Sequence, residues 1–266
     1  MTPSQRHPWL RPAAIRAHRA RRRWHWLRSG ADWATTREPD LAERLVHHSS
    51  PLLRELEGVP MVLQHNKVTN LRLASARVDG LVLRPGETFS FNRVVGNCTR
   101  RKGYVDGLRF VDGEVGAGVG GGICQLANLL HWLVLHSALT VVERSEHSLD
   151  LFPDSGRVVP WGVGCTIVYN YVDLVVRNDT AATYQLRVRV GEQHLRGELR
   201  SDRMTPVTYR VEAREDRFVD TASGDVRRVN EIWRTTIDRH TGASLGEELV
   251  RRNDARVRYV PTRQKN

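Results

Sequence analysis

The sequence predicts an α+β fold: a mixed or antiparallel sheet, a central helix preceded by a glycine-rich turn, and a β-rich C-terminal third. Three observations carry that expectation. Apolar residues recur at helical spacing over residues 61–78. The run Gly118-Val119-Gly120-Gly121-Gly122 stands directly before an apolar stretch of helical length. From Cys165 onwards, short β-prone runs follow one another.

In chain order, a basic helix is expected from Pro12 to about Leu27, followed by a segment opened by Pro39. Leu63, Val68, Leu71, Ala74 and Val78 mark one face of an amphipathic helix over Met61 to Val78, and Gly80 stops it. Leu81-Val82-Leu83 reads as a strand, Arg84 to Glu87 as a turn and Thr88 to Phe91 as another extended piece. Between Gly103 and Gly118, β-prone runs alternate with turn signals such as Asp112-Gly113, which predicts hairpins leading into the glycine turn. A helix over about Ile123 to Ser137 precedes strands at Leu139 to Glu143 and His147 to Phe152. Cys165 to Tyr169 and Leu174 to Asn178 read as paired strands, and Tyr184 to Val190 as a further one. At 266 residues and 40% hydrophobic content the chain can bury a core. Two parts are expected: a basic N-terminal arm over residues 1–50 and a folded body over 51–266.

The 41 basic residues outnumber the 30 acidic ones, and residues 1–28 supply eight arginines without an Asp or Glu, so much of the excess charge is N-terminal. With Trp9, Trp24, Trp26 and Leu27 among those arginines, the arm suits peripheral contact with an anionic membrane, or else is a solvated basic segment. Nucleic acid is not an expected partner: zinc-finger spacing, an aromatic RNA-binding signature and a recognition-helix unit are all missing. Arg16, Arg19, Arg21, Arg22 and Arg23 occupy the place of the apolar run of a cleaved secretory signal. Polar residues also interrupt Ile123 to Val142 as a membrane span. The expected location is therefore cytoplasmic, peripheral to the inner face of the membrane. Cys98, Cys124 and Cys165 are an odd number with no Cys-x-x-Cys pair, which excludes a disulfide scaffold as the organising principle.

The chemistry centres on Gly118 to Gln125. A cysteine in the first turn of a helix faces unpaired N–H groups and the positive end of the dipole, which favours its thiolate and prepares Cys124 as a nucleophile. The same turn, through Gly120, Gly121 and Gly122, can instead hold an anionic oxygen on its backbone N–H groups, with Cys124 simply small enough to fit. Gln125 can donate to an oxyanion or cap the turn.

Several motifs follow one another in the order of VanW-family proteins. They are Arg84 to Asn92, Val95-Gly96, Gly103-Tyr104, Gly118 to Gln125, Glu143-Arg144 and His147-Ser148, together with Leu63 to Leu71 and Tyr169 to Leu174. The chain resembles that family from about residue 50 to residue 260. The resemblance implies a bacterial protein tied by association to cell-wall metabolism and glycopeptide resistance, in a family without an established activity. Family members often carry Ser where Ala127 stands, and Cys98 and Cys165 fall where cysteine is not expected.

If the protein is an enzyme, Cys124 is the nucleophile and His147 the base of an acyl transfer or amide hydrolysis acting on cell-envelope peptide or a peptidoglycan precursor. A cysteine on a helix followed by a histidine on a strand resembles, in layout, papain-like cell-wall hydrolases. His131 shares the helix face of Cys124 but lies about 10 Å along the axis, so it reads as a packed histidine. Asp173 and Asn170 are candidate orienting groups. Glu143, in the Glu143 to Ser148 cluster, and Asn66 and Asn70, four apart on the first amphipathic helix, are candidate binding groups. The rival reading is a non-catalytic module whose glycine turn holds an anionic envelope ligand. No cofactor is expected. A zinc site on Cys124, His131 and His147 matches no standard spacing.

Overall fold

A computed structural model describes residues 11–56, 58–111, 114–146, 149–150, 153 and 158–261. Four α-helices among the described residues are α1 (Arg11–Arg28), α2 (Met61–Val78), α3 (Phe91–Val95) and α4 (Cys124–Leu135). The fold is α+β and rich in strand, as the sequence predicts.

One sheet has the order β1 (Asp32–Trp33), β4 (Glu87–Ser90), β9 (Val175–Arg177) and β7 (Thr140–Glu143). A second runs β2 (Glu43–Pro51), β11 (His194–Ser201), β10 (Tyr184–Val190) and β3 (Leu81–Leu83). The third runs β12 (Val207–Asp220), β13 (Val226–Asp238), β14 (Ser244–Val257) and β8 (Leu149–Asp150). β5 (Asp106–Val111) and β6 (Glu114–Val119) form a separate hairpin. Parallel pairs, β1 with β4 and β14 with β8, make the otherwise antiparallel sheets mixed.

The main core lies between α2, α4 and the first two sheets. α4 is buried nearly all round, through Leu126, Ala127, Leu129, Leu130, Leu133 and Val134, as a helix this apolar must be in water. It packs on β2 and β11, while α2 packs on β10 and β5. The buried face of α2 is Gln64, Lys67, Asn70, Leu71, Ala74, Ser75 and Val78, so it is apolar towards its C-terminal end and polar towards its start. Leu63 and Val68, expected on that face, are only partly buried. A smaller cluster of Leu135, Val163, Val211 and Ile232 ties the end of α4 to the third sheet.

The N-terminal segment does more than the sequence suggests. β1 and β2, within the expected arm, pair in two sheets of the body. α1 docks through Trp26, which is buried, through Arg22, which pairs with Glu143 at 2.5 Å, and through His18, whose ring lies 4.7 Å from that of Tyr171. Its outward face keeps Trp24 and Leu27 exposed.

Two strand expectations change. Residues 165–169 form no strand, because Asn128 and Ser145 accept the N–H groups of Cys165 and Thr166, leaving Val168 a single bridge to Val172. Of the strand expected over His147 to Phe152, β8 covers Leu149–Asp150, and residues 147, 148, 151 and 152 lie outside the described residues. No described helix is long and apolar enough to cross a membrane.

Candidate functional site

A cavity of about 1250 Å³ opens between α1, the end of β2, the polar half of α2, the glycine turn with the start of α4, and the segment from Val158 to Tyr171. The glycine turn is held from behind. Asn70, fully buried, donates to the carbonyls of Val105 (3.0 Å) and Gly121 (2.9 Å) and accepts from the N–H of Val105 (2.9 Å). A Cβ on Gly121 would overlap the carbonyl of Gly107, so the turn lies directly on the β5 backbone. Gly122 has φ +88° and receives the aliphatic stem of Lys67, where a side chain would collide. Gln125 and Leu126 then donate to the carbonyls of Gly122 and Ile123, starting α4 with Cys124 in its first turn on the cavity wall.

Lys67 is only 8% exposed, and burial together with the charge of Arg54 holds its ammonium down at about 8. It makes no ion pair or hydrogen bond among the described residues. Gln64, one turn earlier on α2, also lines the cavity and is 1% exposed, with its Oε1 unpartnered. Sequence reasoning missed both. Their signal was present, since polar residues at 64, 67 and 70 interrupt a face that would otherwise be core.

Cys124 is half-buried, and burial pushes its thiol above the ordinary value. The backbone of Ile167, the charge of Arg109 and the thiol's own backbone N–H pull the other way without reversing this. The expectation of a favoured thiolate is therefore corrected: loss of water outweighs the helix start. Cys98 lines the same cavity, and its side chain packs where a Cβ on Gly120 would sit. Cys165 is buried, and burial pushes its thiol up to about 12 despite the charge of Arg144.

A family model described as VanW like protein matches residues 66–200, just over half of the chain. The chain belongs to the VanW family. The Vancomycin B-type resistance protein VanW of Enterococcus faecalis is 34% identical to it over 225 residues, covering 85% of this chain and 82% of that protein. The uncharacterized protein YoaR of Bacillus subtilis is 37% identical over 124 residues, 46% of this chain and 41% of that protein. No solved structure matches the chain.

In this VanW-family chain the structure separates the expected site residues. Gly120, Gly121, Gly122, Cys124 and Gln125 line the cavity together, with Asn128 beside them. The Gln125 amide is already committed, donating to Ser50 Oγ (3.0 Å) and to the Pro51 carbonyl (2.8 Å). Asn66 and Asn70 do not share a cleft: Asn66 donates to the carbonyl of Asp106 at 2.8 Å, so both amides brace the β5 region.

Glu143 and Asp173 meet at Arg22 of α1 (2.5 and 3.6 Å) and not at the cavity wall. Asp173 accepts from Ser90 Oγ (2.5 Å) and from the N–H groups of Asn92 and Leu174 (both 2.9 Å), yet burial holds its carboxyl up at about 6. Both carboxylates therefore fasten α1. Asn170 is buried with φ +59°, and neither atom of its amide has a partner among the described residues.

His131 is a core residue. Its Nδ1 contacts the Val163 carbonyl at 2.8 Å, and burial, with the charge of Arg144, holds it down at about 3. Ala127, the position of the family serine, is likewise in the core. His147 lies outside the described residues. Among the described residues, no group of three His, Cys, Asp or Glu side chains is placed to hold a metal.

Proposed function

We propose that the cavity binds an anionic peptide of the cell envelope, a peptidoglycan stem or its precursor, as a binding module. The charge balance of its wall carries this reading: among the described residues Arg19, Arg54, Lys67 and Arg109 line it, while the acid there, Glu146, is paired with Arg251. Its volume, about 1250 Å³, exceeds the roughly 300–1,000 Å³ of small-molecule pockets and suits an oligomeric ligand. A relative named for vancomycin resistance supports the envelope class and a link to glycopeptide resistance. Titrating the full chain calorimetrically with soluble muramyl pentapeptide is the test. Saturable binding that weakens with salt is expected. Neither heat nor a shift in melting temperature at about millimolar peptide would refute it.

Catalysis by Cys124 is the second reading, because its thiol stands on that wall in the first turn of α4. In it His147 takes the Cys124 proton as the thiol attacks an amide or ester carbonyl, the C–N or C–O bond breaks, the amine or alcohol leaves with that proton, and water or an acceptor amine then releases the acyl group from the thioester. Burial of the thiol ranks it second. Alkylation of Cys124 that saturates well below pH 8 would promote it, and a thiol inert until alkaline pH would remove it.

We also propose that the outward face of α1, with Trp24 and Leu27 exposed among arginines, rests on an anionic bilayer at the cytoplasmic face. The protein should co-sediment with phosphatidylglycerol vesicles at low salt. Equal recovery of a Trp24→Ser, Leu27→Ser variant would defeat this.

A further inference from the structure

Gln64 and Lys67 present two unmet demands side by side. They lie one turn apart on α2, at 1% and 8% exposure, and both line the cavity. Lys67 is a cation without an anion among the described residues, and the charge acting on it, Arg54, repels it. Gln64 Oε1 is an acceptor without a donor there. Beside them, where the Lys67 stem crosses Gly122, the backbone N–H groups of Gly122 and Ile123 have no acceptor among the described residues. Burying unpaired polar groups is costly, so such a cluster calls for a partner with complementary groups.

We infer that Lys67, Gln64 and the Gly122–Ile123 backbone form a receptor for the C-terminal residue of a peptide. Its free carboxylate sits on the Lys67 ammonium and the turn N–H groups, and its amide N–H donates to Gln64 Oε1. The pairing of demands selects this ligand. A fully ionised phosphate monoester offers acceptors only, which satisfy Lys67 and the turn but leave Gln64 Oε1 unmet. A terminal residue carries its carboxylate and its N–H on one Cα, the spacing that two side chains one helical turn apart can meet. This deepens the reading above, on which it rests for the envelope origin of the peptide.

The experiment compares muramyl pentapeptide with its C-terminal carboxamide, and N-acetyl-dialanine with its carboxamide, on the full wild-type chain and on Lys67→Met. Methionine keeps an unbranched stem over Gly122 and removes a buried unpaired cation, so the variant is expected to fold, checked by its urea midpoint. In the wild type, each acid should bind about tenfold or more tighter than its amide, and Lys67→Met should erase that ratio. Methyl phosphate, essentially a dianion without a donor at about pH 7.5, should compete poorly. As a second variant, Gln64→Leu should weaken the N–H peptide but not an analogue methylated at its last amide nitrogen.

Equal binding of acid and amide, a ratio that survives Lys67→Met, or methyl phosphate competing as well as the acid would overturn the inference. If the pentapeptide binds without preferring its acid, the inference falls and the envelope reading stands. If N-acetyl-dialanine alone shows the acid preference and the pentapeptide does not bind, the receptor stands and the envelope reading falls. Both fall if no peptide binds.

Discussion

Replacing Asn70 by alanine tests whether this residue builds the site or contacts the ligand. Its amide serves three backbone groups, and their fates differ. The Val105 carbonyl keeps a partner, because Gly120 N–H donates to it at 3.0 Å. The Gly121 carbonyl and the Val105 N–H lose the bonds they make to Asn70, at 2.9 Å each. Two orphaned groups at about 1–3 kcal/mol each bound the cost at about 2–6 kcal/mol. Water entering from the adjacent cavity can satisfy one of them, which brings the expected loss to about 1–3 kcal/mol.

Asn66 provides the internal control. It is only partly buried and makes a single bond, to Asp106, so Asn66→Ala should cost about 1 kcal/mol or less. Asn70→Asp should be worse than Asn70→Ala, since it sets a carboxylate against two carbonyls. Urea unfolding followed by tryptophan fluorescence, with slopes compared between variants, measures all three. An Asn70→Ala loss below about 0.5 kcal/mol, or one equal to that of Asn66→Ala, would mean that Asn70 does not brace the turn.

Gly122→Ala should cost about 1–2 kcal/mol for its positive φ and more for the collision with Lys67. In a Lys67→Ala background the overlaps with Lys67 Cγ and Cδ vanish and the one with its Cβ stays, so the cost should shrink towards the backbone part without reaching it, and additive losses in urea would contradict the packing described. His131 sets a pH dependence: held at about 3, well below its ordinary 6.5, it stays neutral in the fold. Its contribution is complete above pH 6.5 and falls as the unfolded chain takes up a proton, by about 2 kcal/mol at pH 5. His131→Gln, which can still donate to Val163, should flatten the decline between pH 7 and pH 5, and an unchanged slope would assign it elsewhere. Arg22→Ala removes the pair with Glu143 and should speed tryptic cleavage within α1 severalfold. An unchanged rate would mean that Trp26 and His18 hold the helix without Arg22.

Features that depend on near neighbours were legible in the chain alone. The bounds of α2, its stop at Gly80, the glycine turn before α4 and the strand-rich C-terminal third follow from periodicity and turn chemistry, which act over a few residues. The family was legible too, because its motifs are local words in a set order. Contacts between distant residues settled the rest, and these exist only in the folded chain. The Cys124 thiol looked lowered when only its helix was considered, and burial under residues from other elements reversed the direction. Asn66 and Asn70 looked like ligands until their amides met backbone groups 35 or more positions away. Glu143 and Asp173 found their common partner in Arg22, 121 residues before the former, because α1 folds back onto the body. Lys67 and Gln64 acquired their significance only when the chain enclosed them without partners, since an unpaired buried group is defined by everything around it and by nothing beside it in sequence.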